Sequence, residues 1–190
     1  MLLETDARLP NVASLIAGEP ISGSWWSHAF AQNIFATLVQ FEDHRDVMFT
    51  KLISGKVTLV HRTIWPEIFA IGTARASWQM KGLSKSARNL LAMIDGQGSF
   101  RTDQIVRPKS GTAKPREVAR ALERKLLIHA GQVHTETGAH AKLLESWEAW
   151  AKRVSFEVGT ICTDEAQSKM EERVRKLNEQ FGAKARLPWL

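Results

Sequence analysis

Residues 114–126 carry two stripes that cannot share one environment. On a helix turning about 100° per residue, Arg116, Arg120 and Arg124 fall within roughly 80° of one another, while Val118, Leu122 and Leu126 lie at roughly 200–280°. A helix built this way must seat its aliphatic side in a core and leave its guanidinium side in water. Pro115 fits the first turn of such a helix, where its missing N–H is no loss. Two readings of the basic side remain open. It is either a ridge that meets a polyanion, or a solvated surface in which Glu117 and Glu123 pair with the neighbouring arginines.

The charge around this helix is concentrated. The chain of 190 residues has a net charge of +6, but residues 1–80 hold 6 basic and 7 acidic side chains, so the excess lies in the second half. Residues 101–125 alone hold 8 Lys and Arg against Asp103, Glu117 and Glu123. Hydrophobic residues at 44% are enough for a packed core. No window approaches the roughly 20 apolar residues of a membrane span, so no membrane partner is expected. Glu4 and Asp6 near the start argue against a secretory leader, and the single cysteine, Cys162, builds neither an internal disulfide nor a cysteine zinc site. A reducing, cytoplasmic setting is expected.

Periodicity outlines the elements. Residues 9–27, rich in Gly, Pro and Ser, read as an ordered loop. A helix is expected over 27–42 on the spacing of Phe30, Ile34, Leu38 and Phe41. A hairpin follows, with strands 47–53 and 56–62 around Ser54-Gly55; a two-residue turn there sets Leu52 opposite Val57, Thr50 opposite Leu59 and Met48 opposite His61. A helix restarts after Thr63 and frays near Gly72, and 73–83 reads as a connection anchored by Trp78.

In the second half, Ser84 caps a helix over 84–94 with Ala87, Leu90, Leu91 and Ile94 on one stripe. Thr102 caps a short helix over 103–106, residues 107–113 turn, and the two-sided helix follows over 114–126. Residues 127–129 and 133–135 form a small ribbon turning at Ala130-Gly131. A helix over 139–154 carries Leu143, Leu144, Trp147, Trp150 and Val154 on one face. The last helix starts at Thr163, with the stripe Met170, Val174, Leu177 and Phe181.

The order of helix, short helix, helix and two-stranded ribbon over residues 84–136 resembles a winged helix-turn-helix, although the turn before the third helix is longer than the 3–4 residues of a compact one. The fold class expected is therefore α+β and mostly helical, with a helix–hairpin–helix unit over 1–80, a winged-helix module over 84–154, and a C-terminal helix over 155–190 that packs on the body or in a dimer. The resemblance implies double-stranded DNA as partner, with the third helix in the major groove. Lys109, Ser110, Thr112 and Lys114 would meet the backbone at its N-terminal end, and Arg116, Arg120 and Arg124 would line it. Gln132 and His134 would contact DNA from the wing. The expected role is transcription regulation, or targeting of another activity to DNA, without catalysis or cofactor. A homodimer is expected by analogy.

Other constellations carry alternatives. His134, Glu136 and His140 invite a metal reading, but their spacing matches no strong zinc motif. Glu42, Asp43, His44 and Asp46 cluster as a Mg²⁺-dependent nuclease would need, although a helix end leading into the hairpin is the simpler role. Trp25-Trp26 either stacks a base or plugs the core beneath the hairpin, the reading favoured here. A nucleic-acid-processing enzyme and a module binding an acidic protein partner are the alternative functions.

Overall fold

The computed structural model describes residues 1–3, 5–42, 44–104, 115–134 and 140–190, with backbone alone for His134 and His140. The fold is α+β, with eight α-helices and two small antiparallel sheets among these residues. The chain divides into two units. The first holds residues 1–67, 164–188 and 190; the second holds 68–163 and 189.

In the first unit, α1 (Val12–Ala17) and α2 (Ala31–Glu42) precede a hairpin of β1 (Val47–Lys51) and β2 (Val57–His61). Helix α1 lies inside the stretch expected to be a loop. Asn11 makes it possible: its side chain accepts the Ser14 N–H at 2.9 Å, and Gly18 closes the helix in the left-handed region. Helix α2 starts at Ala31, later than expected, because Trp25–Ser27 forms a separate 3₁₀ turn.

The hairpin turns at Ser54-Gly55, both at positive φ, and the Lys56 N–H donates to the Ile53 carbonyl at 2.9 Å. Its register differs by one residue from the expected pairing: Met48 faces Val60, Thr50 faces Thr58 and Lys51 faces Val57. Leu52 is the extra residue, bulged between turn and ladder and fully buried. The slip puts Met48, Thr50, Thr58 and Val60 together on the buried face.

Helix α8 (Thr163–Phe181) belongs to the first unit from Asp164 onward and buries Ala166, Met170 and Val174 there. Helix α3 (Trp65–Thr73) begins in the first unit, where the Trp65 indole N–H donates to the Val60 carbonyl at 3.1 Å.

The second unit continues α3, and then α4 (Ser77–Met80) occupies the expected connection. Ser84 caps α5 (Lys85–Gln97) by accepting the Ala87 N–H at 3.1 Å. All four residues of the α5 stripe are buried. Next come β3 (Ser99–Arg101), α6 (Pro115–Arg124), β4 (His129–His134), β5 (His140–Glu145) and α7 (Trp147–Arg153).

Three expectations fail in this unit. Phe100 and Arg101 are in β3, and Thr102 to Gln104 form a turn, so the short helix does not start at Thr102; its remainder lies outside the described residues. Ala130 and Gly131 sit inside β4 and are not a turn. Residues 140–145 are strand, and α7 starts only after Ser146 caps it. Ala-Lys-Leu-Leu-Glu is good helix-forming sequence, but β5 is the central strand, paired on both sides in the order β3-β5-β4, and that pairing overrides local propensity.

Candidate nucleic-acid interface

Helix α6 separates its faces as its sequence requires. Val118, Ala119 and Leu122 are buried against Leu90, Leu91 and Ile94 of α5. Arg116, Arg120 and Arg124 are exposed. Among the described residues, no carboxylate lies within salt-bridge distance of any of the three. The two acids that could have masked them do otherwise: Glu117 is exposed and pairs with none of them, and Glu123 is buried and turned toward β5. There its carboxylate accepts from Lys142 Nζ at 3.2 and 3.4 Å. Among the described residues the guanidinium ridge therefore meets no neutralising carboxylate.

The far end of α6 is held by contacts that the sequence did not announce. The helix stops at Arg124, two residues before the expected end, and Leu126 takes φ 53°. The Leu127 N–H donates to the Leu122 carbonyl at 3.0 Å and the Leu126 N–H to the Glu123 carbonyl at 3.0 Å, the two bonds of a Schellman closure. Such a closure favours glycine; a leucine there costs about 1 kcal/mol or more of backbone strain.

Full burial of the Leu126 and Leu127 side chains offsets the strain. So does a row of donors on the freed carbonyls. Gln79 Nε2 donates to the Lys125 carbonyl at 3.0 Å, Trp147 Nε1 to that of Leu126 at 2.7 Å, and Arg75 Nη1 to that of Leu127 at 3.2 Å. Lys125 Nζ donates to the Trp78 carbonyl at 2.8 Å. Gln79, Trp147 and Arg75 fix the axis along which the arginines are displayed.

Behind the ribbon lies a buried polar cluster. Arg153 of α7 grips the Glu145 carboxylate with two bonds of 2.7 Å, and His129 Nδ1 lies 3.2 Å from the same carboxylate. Burial raises the Glu145 pKa, but the His129 and Arg153 hydrogen bonds and their charge outweigh it and hold the carboxyl below its usual range. The His129 ring packs beside Trp147 and Trp150 at 6.0 and 5.7 Å. The cluster ties β4 and β5 to α7.

Of the other expected contact residues, Gln132 is exposed on β4, opposite Lys142 in register. Lys109, Ser110, Thr112 and Lys114 lie outside the described residues, as does the side chain of His134. The same holds for Glu136 and the side chain of His140 in the metal reading, and for Asp43 in the nuclease reading. Among the described residues no group of three His, Cys, Asp or Glu could hold a metal ion. His44 accepts the Asp46 N–H at 3.2 Å, and Asp46 faces Arg45 and Arg62. The tryptophan pair splits: Trp25 is in the first unit's core beside Ile34 and Leu38, whereas Trp26 is exposed. No helix among the described residues is long and apolar enough to cross a membrane.

In comparisons with known proteins, no family model matches the chain, and no curated protein or solved structure does.

Proposed function

We propose that this chain is a double-stranded DNA-binding protein of regulatory or targeting type, with residues 84–154 acting as a winged helix-turn-helix module. In this reading α6 is the recognition helix and the β4–β5 ribbon is the wing. The observation that carries it is the ridge of Arg116, Arg120 and Arg124, exposed and unneutralised among the described residues, on a helix whose opposite face is buried. Exposed guanidinium groups at helical spacing suit phosphates along a groove and the paired acceptors of guanine. The sheet order β3-β5-β4, with α5 before β3 and α6 before β4, supports a wing that follows the recognition helix. Lys109, Ser110, Thr112 and Lys114 extend the contact before α6; Gln132 and His134 extend it on the wing. No catalytic step is part of this reading.

Fluorescence anisotropy of a labelled duplex tests it. Binding that unlabelled duplex displaces and polyglutamate of equal charge does not is the expected result. Displacement by polyglutamate at equal charge would favour the acidic-protein reading instead, because a protein partner would present carboxylates rather than a groove.

A further inference from the structure

Glu123 stands at the edge of the arginine ridge. On the α6 wheel it lies about 20° from Arg116 and about 60° from Arg120, and it follows Arg120 by one turn. Side chains at that i, i+3 spacing reach one another, so an acid and a guanidinium placed there can pair. Here they do not. Glu123 is buried and its carboxylate accepts from Lys142 Nζ of β5 at 3.2 and 3.4 Å, while Arg120 is exposed. Among the described residues Lys142 is the one cation within salt-bridge distance of Glu123.

We propose that Lys142 is a positioning residue for DNA binding: by holding the Glu123 carboxylate on the sheet side of α6, it keeps that carboxylate off Arg120. The inference rests on α6 being the DNA-reading helix. By its charge alone, a lysine on the wing would pass for a phosphate contact. Its surroundings give it another task. The Lys142 N–H donates to Thr102 Oγ1 at 2.9 Å, and its carbonyl accepts the Thr102 N–H at 2.9 Å, so its backbone is fixed just beyond β3. On the other side it stands opposite Gln132 of β4. From that anchor the ammonium reaches a buried carboxylate.

A buried carboxylate without a partner is costly, which drives Glu123 toward another cation when Lys142 is removed. On its own helix that cation is Arg120, one turn back; Arg124, the adjacent residue, does not face it. A Glu123–Arg120 pair subtracts one guanidinium from the ridge, the equivalent of one phosphate contact. Loss of Lys142 therefore weakens DNA binding without Lys142 touching DNA. Its side chain is 45% exposed, so direct contact with a phosphate is the alternative that the experiment must separate.

A double-mutant cycle on the full chain does so. Lys142→Met, close in shape and uncharged, should weaken duplex binding about tenfold near 0.1 M salt and flatten the salt slope by about 1 unit, the share of one phosphate. In a Glu123→Gln background the same substitution should change neither affinity nor slope, because no carboxylate is left to turn. Lys142→Arg, which keeps the cation, should bind like wild type. If Lys142 meets phosphate itself, its loss costs as much in the Glu123→Gln background as in wild type, and the proposal is overturned. A folded Lys142→Met that binds like wild type overturns it too. A second arm needs no DNA. Arg120→Ala should leave the urea midpoint of wild type nearly unchanged and lower that of Lys142→Met, in which Arg120 holds Glu123; equal effects in both backgrounds overturn the proposal. A wild-type chain that binds no duplex defeats the DNA reading and with it the role of Lys142 in binding, while the midpoints still decide whether Lys142 keeps Glu123 off Arg120.

Discussion

The indole N–H of Trp147 donates to the backbone carbonyl of Leu126 at 2.7 Å, closing the left-handed residue that ends α6. This bond is buried and joins α7 to the base of the arginine-bearing helix. Replacing Trp147 by Phe keeps an aromatic ring and removes the donor. The variant should lose about 1–3 kcal/mol, the cost of leaving a buried carbonyl poorly satisfied, read as a lower urea midpoint at unchanged m-value. A midpoint within error of wild type would mean that Gln79, whose Nε2 lies 3.5 Å from the same oxygen, suffices alone.

Gly72 should tolerate no side chain. A Cβ built there would overlap the Trp147 indole ring. Backbone conformation is not the constraint, since Gly72 is not at positive φ; space is. Gly72→Ala should therefore destabilise by about 1–3 kcal/mol through overpacking, although alanine is the better helix former. Thermal unfolding of Gly72→Ala beside Gly96→Ala, a site with open space around it, separates the steric cost from helix propensity.

Glu145→Gln tests the cluster behind the ribbon. The substitution preserves shape but removes the charge that Arg153 and His129 share. Breaking one side of a buried ion pair costs about 3–5 kcal/mol; Arg153 is half exposed and can turn to water, so about 2–3 kcal/mol is expected here. Urea unfolding at neutral pH measures it, and a loss below 1 kcal/mol would show that the cluster contributes little.

Acid should weaken the first unit through Asp6. Burial raises the Asp6 pKa, but the Lys56 ammonium 2.8 Å away and the N–H groups of Leu9 and Arg8 outweigh it and lower it from 3.8 to about 2. A carboxyl that binds its proton less readily when folded contributes stability above the unfolded value. That contribution fades as pH falls from about 4 toward 2. Asp6→Asn should be less stable than wild type at neutral pH, and the gap should narrow across that interval. A gap that stays constant with pH would remove the linkage.

The parts of the fold that were legible in the sequence are those where one helical face meets one core. The α5 stripe and the two faces of α6 follow from the spacing of apolar and basic residues, so Arg116, Arg120 and Arg124 could be placed outward from sequence alone. Strand β5 could not be read, because residues 140–145 favour helix locally and become strand only when β3 and β4 flank them. The hairpin turn was legible in Ser54-Gly55, but its register was not, since the bulged Leu52 shifts every pair by one. The donors that hold the end of α6 were invisible for another reason: Gln79 and Arg75 reach it from 46 and 52 residues away, a relation no local pattern encodes.

The salt dependence of duplex binding tests the central claim most directly. With about four to six phosphates contacted, log affinity should fall against log salt with a slope of about −4 to −5. The triple variant Arg116→Ala, Arg120→Ala, Arg124→Ala removes three exposed side chains and leaves Val118, Ala119 and Leu122 seated. It should stay folded and flatten that slope by about 2 to 3 units. A folded triple variant with the affinity and slope of wild type would contradict the assignment of α6 as the DNA-reading helix.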